Sequence, residues 1–446
     1  MSRVVVAHRN LENYVRKLSK EEQFAFGVVV GQSGIHDKDY VVHLARTPFH
    51  EEEETADGEP VKKPESDTKQ IDNQLLVNHA LSVTRMIPGS FSVLGIFVTS
   101  ENNVVETNDF PKTAKVVLRQ VYEVLTENKQ LCGFPTDSSE LLFLSYCSSN
   151  SSFVCKSLDV KDSSASLKDV DWKFIDKPLI WQKFEANYEL DEVFPLIKDE
   201  DKINVEENFY NSLGAIGDQI TQSIIFIQNE NVDESQTVEA YVKDRNSKKE
   251  ETNSIAASVY LPAIISPTDS STIGKFEGTV RYTGMVCSRI WVHPKSTLKL
   301  VQDFIRRDIL RSLASRIQMF VDDQHESAAM ATDDITVNEP PRRVFIDVPD
   351  SRGIQFSEYI FRGETSEIVI DQAKEILDIE VDSNQIYTDI EALPEFDEDI
   401  SIFSPTPSTN NVKPQETDVN KTMYMVGIGV ALLILILSVV LHLIFR

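Results

Sequence analysis

A run of 22 residues near the end of the chain, YMVGIGVALLILILSVVLHLIF from Tyr424 to Phe445, carries no charge. As an α-helix it rises about 33 Å, which matches a hydrocarbon core of roughly 30 Å. Fifteen of its residues are Leu, Ile, Val or Phe. At about −0.3 to −0.6 kcal/mol each they favour insertion by roughly −5 to −9 kcal/mol. Ser438 and His442 subtract only part of that, and His442 lies one turn from the end, within reach of the interface. A soluble domain does not place a helix that is apolar all round at its terminus with only Arg446 beyond it. The expectation is one membrane-spanning helix, anchored by residues such as Tyr424, Gly427, Leu432, Leu435, Val440 and Phe445. Gly427 and Ala431 add one small-xxx-small pair of the kind that lets two such helices approach.

A helix with so little after it is still inside the ribosome when synthesis stops, so a tail anchor is expected. The N-terminal MSRVVVAHRNLENYV offers only Val4 to Ala7 as an apolar run, too short for a secretory signal. A lipid-anchor signal would need prior entry into the secretory pathway. Everything before Lys421 is therefore expected in the cytosol. Hydrophobic residues at 41% and aromatics at 9% suffice for packed cores, and 446 residues leave room for two or three domains. A net charge of −27 argues against nucleic acid and against lying flat on an anionic leaflet. Cys132, Cys147, Cys155 and Cys287 form no CxxC pair and have no His at metal spacing, which reads as reduced thiols. Asn150-Ser-Ser and Asn420-Lys-Thr match the glycosylation pattern, and the expected topology keeps both bare.

Taken in order, the chain opens with a strand over Arg3–Ala7 and a helix marked by Leu11, Val15 and Leu18. FAFGVVVG, Phe24–Gly31, is a buried strand; Gly31-Gln-Ser-Gly34 turns it back into Tyr40–Leu44 as a hairpin. That glycine spacing is too short for a phosphate cradle and leads into a strand. His50–Gln70 reads as a solvated acidic loop. Leu76, Ala80, Val83 and Ile87 mark a helix that stops at Pro88-Gly89, with His79 beside its stripe as a packing or surface residue. A strand at Phe91–Thr99, a helix through Val117, Val121 and Leu125, and strands at Glu140–Cys147 and Ser152–Val160 complete an α/β domain over residues 1–160.

Trp172–Ile197 carries aromatics among charges and gives no clear element. Phe209–Ile227 reads as one helix with Leu213, Ile216, Ile220 and Ile224 on a face; Asn229–Ser254 reads as loop with a strand at Val238–Val242. Ser258–Ala263, Lys275–His293, Arg343–Val348 and Glu358–Phe361 predict a second sheet, which makes residues 161–393 a second α/β domain. Between them lies a helix over Leu298–Val321 with a stripe of Val301, Ile305, Ile309, Leu313, Ile317 and Phe320. Arg306, Arg307, Arg311 and Arg316 fall off that stripe. In so acidic a chain they are expected to pair internally, and they are also the candidate partner-contact face, with the strands near Phe91–Phe97 as a second. Residues 394–423 turn acidic and then Pro/Ser/Thr-rich; a flexible segment of that length spans roughly 25–30 Å, enough to hold the globular part clear of headgroups.

No HExxH, HxH, GxSxG or Gly-rich loop with Lys-Ser/Thr occurs, so no enzyme, cofactor or metal is expected. GVVVGQ…DYVVHLARTP, VTRMIPGSFSVLGIF, DWKF, FEGTVRYTGMVCSRIWVHP, FIRRDIL and PPRRVFIDVP, in that order before an apolar tail, resemble the odorant response abnormal protein four family over nearly the whole chain. The resemblance implies a factor of the endoplasmic-reticulum membrane. Such a factor assists folding and export of odorant-type G-protein-coupled receptors and partners a cysteine protease of the ubiquitin-fold-modifier system. The order of elements through SVLGIF is also similar to the MPN domain. In catalytic MPN members the strand matching SVLGIFVTS runs into His-Ser-His, which holds zinc with a downstream Asp. Here Phe97-Val98-Thr99-Ser100 stands in those places without either imidazole, and zinc hydrolysis needs three protein ligands and an open position. The resemblance thus implies a non-catalytic MPN-like module used for dimerisation or docking. The expected function is a membrane-anchored adaptor for receptor export, the alternative a scaffold on the same membrane for another cytosolic complex.

Overall fold

The computed structural model describes residues 3–34, 38–48, 71–106, 110–132, 139–199, 202–203, 205–246, 254–261, 276–330, 340–351 and 353–391. The His50–Gln70 loop, the 394–423 linker and the Tyr424–Phe445 span, with Tyr424, Gly427, Leu432, Leu435, Val440 and Phe445, lie outside them. Among the described residues no helix is long and apolar enough to cross a membrane. The described residues form a mixed α/β fold with three sheets.

The first sheet is built from β1 (Val4–His8), β2 (Phe24–Ser33), β3 (Lys38–Arg46), β4 (Ser92–Ser100), β5 (Glu140–Cys147), β6 (Ser152–Asp159), β7 (Lys168–Asp169) and β8 (Asp171–Ile175). Between these strands come α1 (Arg9–Glu21), α2 (Asn73–Met86), α3 (Phe110–Glu127) and the short α4 (Lys129–Cys132). The strand order is β7-β6-β5-β4-β2-β3-β1-β8. Consecutive residues of one segment pair with both edges: Lys168 and Asp169 with β6, and Asp171–Ile175 with β1. Val170 N–H donates to Cys155 O at 3.0 Å between them. The sheet therefore closes on itself, which removes its exposed edges. Its inner face and α1 enclose one core of Val5, Val15, Leu18, Val29, Leu44, Phe97 and Leu144. The expected boundary at residue 160 falls inside this sheet, because β7 and β8 close it.

The outer face of the closed sheet packs on α2 and α3 and shares one core with the third sheet. The second sheet holds β9 (Gln182–Asp199), β10 (Lys202–Ile203), β11 (Ile224–Ile227), β12 (Ser254–Tyr260) and β13 (Phe276–Val292), with α5 (Val205–Thr221), α6 (Val238–Asn246) and α7 (Leu298–Met330). Its order is β10-β9-β12-β11, with β13 on β9. The third sheet, β15-β14-β16, comprises β14 (Arg342–Asp347), β15 (Gln355–Ile360) and β16 (Ile386–Tyr387), with α8 (Ser366–Leu377) beside it.

Four readings change here. The stretch left open at Trp172–Ile197 supplies β8 and the long β9, whose Phe184, Ala186, Tyr188 and Leu190 turn inward at every second place. The helix expected over Phe209–Ile227 ends at Thr221; the β-branched and aromatic run Ile224–Ile227 pairs antiparallel with β12, so Ile224 leaves the helical face. Val238–Val242 is helical: Thr237 Oγ1 accepts from Ala240 N–H, and Glu239 pairs with Lys243 at 2.6 Å one turn on. The expected second sheet is in fact two, since β12 and β13 pair with β9 whereas β14 and β15 pair only with each other and β16.

Candidate functional site

Where the three sheets meet, the turn after α2 (Ile87–Phe91) presses against α7. The approach is close enough that a Cβ on Gly89 would stand 2.3 Å from the backbone nitrogen of Asp308. Only glycine fits there. Gly89 N–H donates to Asp308 Oδ1 at 2.7 Å. The same carboxylate takes two bonds from Arg343 on β14, at 2.8 and 3.1 Å, with both side chains wholly buried. Arg343 Nε reaches Ser357 Oγ at 2.9 Å, and the facing carboxylate holds its guanidinium above the ordinary range against the opposing effect of burial. One ion pair thus fastens α7, β14, β15 and the turn.

Arg311 lies one turn along α7 and finds no carboxylate. It donates to Ile87 O at 2.9 Å, Pro88 O at 3.0 Å, Phe91 O at 3.2 Å, Leu131 O at 3.1 Å and Cys132 O at 3.4 Å. Ile87 and Cys132 end α2 and α4, so the partial negative charge of two helix C-termini surrounds the buried cation. Arg307 is also buried, contacts Gly89 O at 3.5 Å, and is lowered by burial to about 10, still charged at neutral pH. Arg306 pairs with Asp303 at 2.9 Å and donates to Ser223 O; Arg316 pairs with Glu391 at 2.6 Å. The candidate contact face of Arg306, Arg307, Arg311 and Arg316 is therefore directed into the protein. Phe91 and Phe97 are buried as well.

A further link joins the first and second sheets. Gln32 Nε2 donates to Ser90 O and Trp291 O, both at 3.0 Å, and its Oε1 accepts from His293 N–H at 2.9 Å. Sequence reasoning passed over Gln32, Asp308, Arg343, Ser357 and Glu391. The available signal was a charged or amide side chain set inside an apolar run, as in Arg343-Val344-Phe345-Ile346.

These groups are spent on structure. Phe97 to Ser100, the positions expected to correspond to the MPN metal strand, are buried, and Thr99 and Ser100 bond to Ala25 O and Asn102 O. Among the described residues no three His, Cys, Asp or Glu side chains stand as a metal cluster. All four cysteines are free, and burial pushes Cys132 and Cys287 up to about 11 and Cys155 to about 12, so these three thiols are protonated at neutral pH. His79 and His43 donate to Ile376 O and Leu377 O at the end of α8, at 2.7 and 2.6 Å. A carbonyl only accepts, so Nε2 carries the proton in both. Burial lowers both imidazoles, His79 to about 4.

The family model described as odorant response abnormal 4-like matches residues 27–388. The chain belongs to that odorant response abnormal 4-like family. "Protein odr-4 homolog" of Drosophila melanogaster is 31% identical over 99% of each chain. The Homo sapiens protein of the same name is 26% identical, over 85% of this chain and 84% of its own. Among solved structures, the crystal structure of UfSP from C. elegans is similar over 85% of this chain and 57% of that one, with 8% identity and a TM-score of 0.46. The curated relatives bear odr-4 names and no enzyme name. The region matched by the family model takes in Gln32, Asp308, Arg343 and Ser357.

Proposed function

We propose that this odorant response abnormal 4-like chain is a non-enzymatic, membrane-anchored adaptor. It assists folding, export from the endoplasmic reticulum and trafficking of odorant-type G-protein-coupled receptors, in complex with a ubiquitin-fold-modifier-specific cysteine protease. The observation that carries the reading is membership in a trafficking-linked family along almost the full length, together with the uncharged 22-residue stretch of its tail. The Drosophila alignment takes in 99% of the chain, so most of that stretch falls within it. The closed first sheet is read as a non-catalytic MPN-like module, with the second and third sheets as the further α/β part up to residue 393, 394–423 as a tether and 424–445 as the anchor in the endoplasmic-reticulum membrane. Phe97 to Ser100 offer no imidazole, and the raised thiols of Cys132, Cys155 and Cys287 are poor nucleophiles. Both features support the absence of chemistry.

Deletion of Tyr424–Arg446 tests this. The truncated chain is expected to leave membranes in salt without detergent and to lose most of its support of receptor surface delivery, while still co-purifying with the protease. Full support of delivery by the truncated chain would refute the adaptor mechanism. Intact binding with no effect on receptors would point to a scaffold for another complex. Asn150 sits on an exposed turn, its Oδ1 accepting from Ser152 N–H, so a glycosyltransferase would reach it in the lumen. A bare Asn150 in cells is the expected outcome for a cytosolic body.

A further inference from the structure

The outer edge of the second sheet is sealed along half of β13 and open along the rest. Alternate residues of β13 turn their N–H and C=O away from β9. Near the body of the protein side chains cap these groups: Cys287 N–H donates to Glu391 at 2.7 Å and Cys287 O accepts from Arg343 at 3.5 Å. Trp291 N–H donates to Ser90 Oγ at 3.2 Å and Trp291 O accepts from Gln32. The register against β9 runs without a shift from Gly278 to Val292. The same alternation therefore brings the backbone groups of Met285, Thr283, Arg281 and Thr279 to that edge, where none has a partner among the described residues. Tyr282, facing the other way, packs edge-on to Phe194 and Phe209 and meets Ser212 Oγ at 2.8 Å. The open strand is thus held extended from beneath.

The outer face of this sheet carries exposed apolar side chains among charged and hydroxyl ones. Of eight exposed large hydrophobic side chains among the described residues, four lie on it: Val193 at 56%, Ile224 at 57%, Tyr260 at 52% and Met285 at 46% exposure. Ile224 stands opposite Tyr260 on the far side of β9, whereas at the open edge Met285 stands opposite Glu189 and Val193 opposite Arg281. An unpaired strand edge with the exposed Met285 and Val193 near it is a template for another strand. Charge selects the occupant. Arg281 donates to both oxygens of Asp191, at 2.9 and 3.0 Å, while Glu189 has no ion-pair partner among the described residues. A second copy would bring another Glu189 and another net charge of −27. Strands stand about 4.8 Å apart, so a basic side chain on an added strand can lie across Met285 toward Glu189.

We propose that the open half of β13, Thr279 to Met285, takes an extended segment of a partner protein as an added strand, apolar at alternate positions and bearing a lysine or arginine. This deepens the adaptor reading and relies on it only for there being a partner. The test is a photo-crosslinking residue in place of Met285 in the full-length chain in its native membrane, with the crosslinked peptide sequenced by mass spectrometry. The expected product is one segment of another protein with that alternating apolar and basic pattern. Thr283→Pro removes an outward N–H and leaves the β9 ladder intact, so it is expected to cut the yield at least tenfold. Val193→Lys, which leaves the backbone untouched, is expected to cut it as well. Crosslinks within the same chain, to a second copy or to a segment without this pattern overturn the proposal, as does undiminished yield in both variants. Receptor delivery is scored separately: an unchanged yield refutes the added strand even where tail deletion abolishes delivery, and a lost yield supports it even where delivery persists.

Discussion

Arg343→Met tests what the buried hub contributes. The substitution keeps most of the side-chain volume but removes both bonds to Asp308 and the one to Ser357. Asp308 is then a wholly buried carboxylate whose remaining donor among the described residues is Gly89 N–H at 2.7 Å. Breaking one side of such a pair costs about 3–5 kcal/mol, because the other charge stays out of water without compensation. The entropy of unfolding is about 2.1 cal/mol/K per residue, so over a unit of 393 residues the midpoint should fall by about 4–6 °C. Asp308→Asn should cost a similar amount, by stranding Arg343. The double variant Arg343→Met with Asp308→Asn should be clearly less damaging than the two losses added, with a coupling of about 3 kcal/mol. The assay is thermal and urea unfolding of the full-length protein in detergent, followed by circular dichroism and by the emission of Trp291, which is buried in the core shared by the first and third sheets. If the two single losses simply add to within about 0.5 kcal/mol, the residues do not act as a pair and the hub has been misread.

Acid should loosen the seat of α8: His79 is lowered from 6.5 to about 4, so the unfolded chain binds more protons between those values. Stability present above pH 6.5 should fall by about 3 kcal/mol as the pH drops toward 4, with His43 adding in the same direction. His79→Gln should flatten that slope, and an unchanged slope would exclude this histidine as its source. Gly89→Ala would set a Cβ 2.3 Å from the Asp308 nitrogen and 2.5 Å from its Cα, so a loss of about 3 kcal/mol or failure to fold is expected in the same unfolding assay. At pH 7.5 in native buffer Cys155 and Cys287 should react with a thiol reagent at least a hundredfold more slowly than in urea, as befits buried, protonated thiols.

The fold was legible wherever one physical signal decided an element. β2 and β4 are continuous apolar runs bounded by polar residues, and α7 carries a stripe at helical spacing from Val301 to Ile317. Sequence reading failed where two signals competed. Ile220 and Ile224 hold helical spacing, yet Ser223 separates them and Ile224–Ile227 gains more from pairing with β12 than from one further turn. Val238 and Val242 look like strand residues, yet the cap at Thr237 and the pair of Glu239 with Lys243 decide for helix. β9 was obscured by the acidic residues that alternate with its inward aromatic and aliphatic ones.

The hub could not have been read from the same signals, and the reason lies in α7. Periodicity reports one face of a helix and assigns the opposite face to water by default. In α7 that opposite face is covered by the α2–β4 turn and the third sheet, so Asp308 and Arg311 are as buried as Ile309, and Arg307 is buried too. Only the tertiary arrangement shows that five carbonyl oxygens and one carboxylate wait there for the two arginines, Arg311 from the helix and Arg343 from β14. What such a hub does is join parts that local pattern assigns to separate domains. A change at residue 308 or 343 is then felt at once in the first, second and third sheets, and any partner held on the outer edge of β13 is coupled to the same clamp through Cys287, whose carbonyl accepts from Arg343 itself.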